Sequence, residues 1–191
     1  LIGVLLPALG AARRNAQRME SNTRLRGIQQ GAFQFAQGNR NLYPGGTRKA
    51  GEVWLTTARE RLQIMLDGNY FTPEYIISPV ESSKVPESQN IDTNNFSYCL
   101  LQVTDASADK GRRDEWAATA NSEAAVVYDR ETEGATGSAA RSVHSTTDWR
   151  GGVAFNDNHV EFETNNVIER TKYGNIQNKN DDLFSGASAS N

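Results

Sequence analysis

The sequence predicts an α+β fold, a long N-terminal α-helix packed on an antiparallel β-sheet. Apolar residues recur at helical spacing from the start of the chain to about Gly38, strand-like runs follow only in the second half, and Gly152–Glu163 reads as a β-hairpin. Helix and strands are segregated along the chain rather than alternating, which favours α+β over a parallel α/β sheet. At 191 residues the chain is one ordinary domain with an appendage. It divides into a helical stem over 1–38, a head over 39–184 and a tail over 185–191, the tail expected to fray.

The stem opens on an unbroken apolar run, Leu1 to Ala12, closed by Arg13-Arg14. That is shorter than the ~20 residues a membrane span needs. Three readings stay open: the end of a secretory signal with a small-residue cleavage site near Ala11-Ala12, a core helix of a soluble domain, or the second half of a spanning helix that begins upstream. Helical spacing continues through Ala12, Ala16 and Met19, then through Leu25, Ile28, Ala32 and Phe35, with Gln29, Gln30, Gln34 and Gln37 largely off the stripe. The stripe changes phase near Ser21-Asn22-Thr23. The first half is therefore expected to face lipid or other helices, and the second its own head. Such a rod would be about 55 Å long. Pro7 either interrupts it, at ~3 kcal/mol in water, or occupies the first turn of a helix that starts there. Glu20 and Arg24 stand at the favourable i,i+4 spacing, and Gly38-Asn39 suits a left-handed stop.

In the head, Trp54, Leu55, Ala58, Leu62, Met65 and Leu66 predict a helix over Glu52–Leu66 that ends at Gly68. Thr72-Pro73 starts a short turn through Ile77, and a loop runs from Val80 to Asn95. Strands are expected at Phe96–Val103 and Ala124–Tyr128, with loops over Asp105–Glu115 and Glu131–Ser142. The hairpin is expected to turn on Asp157-Asn158 as a two-residue loop, pairing Asn156 with His159, Phe155 with Val160, Ala154 with Glu161 and Val153 with Phe162. That register places the large apolar side chains on one face.

The net charge of -3 conceals a strong asymmetry. Through Lys49 there are eight basic residues and one acid, Glu20, or +7; the remainder holds 12 basic and 22 acidic residues, or -10. A basic stem on an acidic head suggests two surfaces with different partners. One cysteine, Cys99, excludes a disulfide framework and a cysteine-rich zinc site, and it is expected to be packed in its strand. Ser142, His144 and Asp148 are neighbours in sequence, whereas triads assemble from distant segments, and no Gly-x-Ser-x-Gly elbow exists, so His144 reads as part of a solvated loop. His144 and Asp157 fit no metal-site spacing, and His159 reads as a surface histidine. Trp149 is expected in the core. The arginines from Arg13 to Arg26 could meet phosphates, but no aromatic residue interleaves with them, which makes nucleic acid an unlikely partner.

The run Gly3-Val4-Leu5-Leu6-Pro7-Ala8-Leu9, followed by an Ala-rich helix with Arg13-Arg14, resembles the bacterial type IV pilin and type II secretion pseudopilin family. The segments Leu66–Tyr75 and Asp148–Phe162 are similar to a branch of pilin-like proteins, with His144 and the Asp157-Asn158 hairpin in the places where members carry a histidine and an Asp-Gly or Asp-Asn turn. The resemblance implies an N-terminally truncated prepilin-type chain, lacking about fifteen residues that would complete a span. It implies a non-enzymatic, homo-oligomeric filament subunit of the cell envelope, working with secretion or pilus assembly machinery. Its helix would be held in the inner membrane, with the head in the periplasm or on an extracellular filament. Leu5, Leu6, Pro7, Leu9, Ala12 and Ala16 would carry assembly, the small residues permitting close helix approach. No cofactor is expected. Calcium is the one metal the resemblance brings in, with Asp157, Asp181 and Asp182 as weak candidate ligands. The alternative is a monomeric, membrane-tethered extracytoplasmic binding protein.

Overall fold

A computed structural model of the chain describes residues 2–47, 52–103, 110–119, 121–132, 141–168 and 183–184, with side chains in the first helix from Pro7 onward. Helix α1 spans Ile2–Gly38 and runs through Pro7, so the proline lies inside the helix and does not begin it. Its buried row is Ser21, Leu25, Ile28, Gln29, Ala32 and Ala36. Gln29 corrects the expectation that the glutamines stand off the stripe. It is buried because its Nε2 has two acceptors, Tyr43 Oη at 3.2 Å and the carbonyl of Asn156 at 3.0 Å. The helix stops at Gly38, but the left-handed residues are Arg40 and Asn41, while Asn39 turns its amide back onto the carbonyl of Phe35 at 2.8 Å.

The second helix, α2, covers Ala58–Asp67 and not Glu52–Leu66. The cause is local. Thr57 is the N-cap: its Oγ1 accepts from the Glu60 amide at 3.2 Å and donates to the Glu60 carboxylate at 2.6 Å. Trp54 and Leu55 belong to the extended lead-in, where the Leu55 amide bonds the Gly45 carbonyl. A 3-10 turn follows at Pro73–Ile76, as Thr72-Pro73 indicates. The expected loop over Asp105–Glu115 contains a short helix, α3, at Lys110–Glu115.

Four strands, β1 (Tyr98–Leu100), β2 (Ala125–Asp129), β3 (Gly151–Phe155) and β4 (Val160–Glu163), form an antiparallel meander in chain order. The β3–β4 hairpin differs from expectation by one residue. Ala154 faces Val160, Val153 faces Glu161 and Gly152 faces Phe162. The loop has three residues, not two. The Asn158 amide bonds the Phe155 carbonyl at 2.9 Å, the Phe155 amide bonds the His159 carbonyl at 2.9 Å, and Asn158 takes φ 69°. This is a type I turn closed by a left-handed asparagine. Sorting apolar from polar side chains does not fix this register, because every residue of β3 is buried and both faces of that strand are covered.

Helix α1 lies across one face of the sheet. Ser21 Oγ meets Tyr98 Oη at 3.0 Å, and a Cβ on Gly152 would come within 2.5 Å of Leu25 Cδ1. Only glycine permits that approach. On its flank, Gly27 and Gly31 receive the rings of Tyr75 and Phe71, where a Cβ would stand 2.3 and 2.7 Å from ring carbons. The core between helix and sheet includes Tyr43, Trp116, Tyr98, Phe96, Met65 and Phe155. Trp149 and Cys99 are both buried, as expected.

Candidate functional site

The feature that the core does not account for is the first half of α1. Packing against the head begins near Ser21; before it, Pro7, Leu9, Ala12 and Ala16 are all exposed, and Leu9 and Met19 are 69% and 71% accessible. Leu9, Ala12, Ala16 and Met19 follow one another at spacings of three and four and form one stripe. At about 100° per residue, that stripe faces nearly opposite to the row of Ser21, Leu25 and Ala32 that holds the sheet. The phase change read in the sequence thus separates two faces of one rod. Pro7 falls on the other side of the helix from Leu9, and the side chains of Leu5 and Leu6 lie outside the described residues. Single exposed apolar residues are ordinary. A row of them on a helix that projects past its own domain is a surface with no partner among the described residues.

The root of the stem is fixed by a cluster the sequence did not reveal. His144 is not a solvated loop residue: its side chain is 7% accessible, and Nε2 lies 3.1 Å from Oδ2 of Asp129, itself 1% accessible. Against a carboxylate the ring nitrogen is the donor. The same oxygen accepts from the Gly152 amide at 2.7 Å, and the Asp129 carbonyl accepts from Trp149 Nε1 at 3.2 Å. The His144 ring meets Phe162 edge-on at 5.3 Å, and the Arg18 guanidinium lies 4.3 Å over that same phenyl ring. Residues from α1, β2, β4 and the 141–150 segment thus converge where the stem leaves the head. No sequence pattern marks His144 for this, since its partner Asp129 ends a different strand.

Ser142, His144 and Asp148 do not converge as a catalytic set. The Ser142 hydroxyl donates to the carbonyl of Arg150, His144 turns to Asp129, and Asp148 accepts from Ser145 and from Arg150 Nε at 2.8 Å. Hydrogen bonds from Ser145 foremost, then Arg150, hold the Asp148 carboxyl down at about 2. His159 is half-buried and opposite Phe155, not Asn156, with the two rings stacked at 4.4 Å. Asp157 is occupied within the turn, accepting from the His159 amide at 3.0 Å and from its ring. Burial works against ionisation of Asp157, but those His159 contacts outweigh it and lower its pKa. Among the described residues no three His, Cys, Asp or Glu side chains gather as a metal site. Asp181 and Asp182 lie outside the described residues.

One buried cation does have partners throughout. Arg61 donates to the carbonyls of Thr57 at 3.2 Å, Leu101 at 2.7 Å and Thr56 at 3.3 Å, and lies 4.8 Å over the Trp116 ring. Burial brings its pKa down to about 10, which leaves it charged at neutral pH. It ties α2 to the sheet and is not a ligand site. That leaves the bare stem as the surface with unassigned work.

No family model, curated protein or solved structure matches the chain. Among the described residues no helix is long and apolar enough to cross a membrane.

Proposed function

We propose that this chain is a pilin-like structural subunit of a pilus or type II secretion pseudopilus, without enzymatic activity, that polymerises through bundling of its N-terminal helices. The reading places it in the cell envelope, with the apolar opening run contributing to an inner-membrane anchor and the head outside the cytoplasm. The observation that carries it is the divided helix α1: one half is buried across the sheet from Ser21 to Ala36, and the other projects with Leu9, Ala12, Ala16 and Met19 bare. Small residues at positions 12 and 16 let helix backbones approach closely, which is how helices associate where hydrophobic burial gives little drive. A shared helix also explains why the head needs a firm grip on the stem: a load on the filament passes through Leu25 and the Arg18–Phe162–His144 cluster.

The test is Leu9→Asp in the full chain, read by electron microscopy of filaments sheared from producing cells and by circular dichroism of the head. The expected result is loss of filaments with an unchanged head spectrum and melting temperature. Filaments of normal length would overturn the reading. A wild-type chain that stays monomeric on the membrane would favour the tethered binding protein.

A further inference from the structure

Some carboxylates of the head have a cation beside them and others do not. Among the described residues Glu20 pairs with Arg24, Glu81 with Arg130, Asp114 with Lys110 and Asp148 with Arg150. Glu60, Asp67, Glu87 and Asp92 have hydrogen bonds from Thr57, Gln63, the Ser88 amide and the Asn94 amide, but no cation within ion-pair distance among those residues. Glu60 and Asp67 lie on the outer face of α2, and Glu87 and Asp92 flank the 88–91 segment that packs on it. There Gln63 bridges Asp67 to the 88–91 segment, donating to the Ser88 carbonyl at 2.9 Å and accepting from the Ile91 amide at 3.1 Å. A groove of about 330 Å³ runs along this face, with Ile64 and Ile91 as apolar floor, Glu60 and Asp67 at its edges and Arg59 as the one cation on it.

The opposite charge stands unmatched on the stem. Arg13 and Arg14 are exposed, carry no ion pair among the described residues and sit on the exposed half of α1. They cannot reach the groove of their own chain. The segment after α2 packs on α1 at Gly31 and Phe35, about 27 Å up the rod from Arg13 at 1.5 Å per residue. That is several Debye lengths at physiological salt.

We infer that Arg13 and Arg14 of one copy dock on the α2 groove of a second copy. This rests on the filament reading above and names the partner of its stem. The fit is chemical. Arginine stems lie well on an Ile64–Ile91 floor while their guanidinium forks reach carboxylates on the rim. A stem patch meeting a different, head patch is a heterologous contact, and such contacts repeat into open filaments instead of closing a dimer.

The experiment is a charge swap in cells producing the full chain, read as filament yield per cell. Glu60 is left intact because its carboxylate accepts from the Thr57 hydroxyl that caps α2. Arg13→Glu/Arg14→Glu and, separately, Asp67→Arg/Glu87→Arg should each lower yield at least tenfold. Producing the two variants together, or combining all four changes in one chain, should restore most of it. Near-normal yield from either double variant, or loss that no combination restores, would overturn the docking while leaving filament formation itself intact. Absence of wild-type filaments would sink the filament reading instead. Should the Asp67 variant fail to fold, Arg14→Cys with Asn90→Cys gives an independent readout: a disulfide between copies supports the contact, and none overturns it.

Discussion

Asp148 shows how far one side chain can depart from its ordinary chemistry without being buried. The Ser145 hydroxyl, then Arg150, stabilise its ionised form and lower its pKa from 3.8 to about 2. A depressed carboxyl favours the folded state at every pH above 3.8, and that contribution disappears as pH falls toward 2. In an NMR titration of the carboxyl carbon, Ser145→Ala should move the midpoint upward toward 3.8. A midpoint unchanged by that substitution would show that Ser145 is not the cause. The sequence placed Ser145, Asp148 and Arg150 close together, so a local cluster of this kind was within reach. Gln29 and His144 were not. Each is a polar residue buried because a partner from a distant segment satisfies it, Asn156 for one and Asp129 for the other, and no local spacing encodes that pairing.

Helix α1 carries the same side chain in two environments. Leu25 is wholly buried against Gly152 and Leu9 is 69% exposed. Leu25→Ala should therefore cost the isolated subunit about 2–5 kcal/mol in urea denaturation, and Leu9→Ala about 0.5 kcal/mol or less. Equal losses would mean that the first half of the helix is packed on its own head. The existence of this helix, its division near Ser21 and the antiparallel sheet after it were legible, because long periodic patterns survive tertiary context. Boundaries were less so. The six-residue error at the start of α2 came from following apolar spacing past Thr57-Ala58-Arg59-Glu60, a capping signature present in the sequence. The hairpin register was missed for a different reason. Two- and three-residue turns both accept Asp-Asn, and the choice depended on what covers the second face of β3, which no residue within the hairpin states.

At the scale of the whole molecule, the charge asymmetry of the sequence acquires a geometry: exposed arginines on the bare half of a rod, and carboxylates without an ion pair among the described residues around α2, whose following segment packs about 27 Å further along that rod. The α+β architecture followed from segregated periodicities, and the projecting stem from a helix longer than its domain. Under the filament proposal the stem meets a second copy of the chain, so the proposal is tested in the assembled state. The decisive measurement is maleimide labelling of Ala12→Cys in particles recovered from cells producing the full chain, beside Ser83→Cys on the exposed surface of the head, with the native Cys99 buried and silent. Position 12 should label in dissociated subunits and at least tenfold more slowly in assembled ones, while position 83 labels equally in both. Equal labelling of position 12 in the two states would contradict the filament proposal.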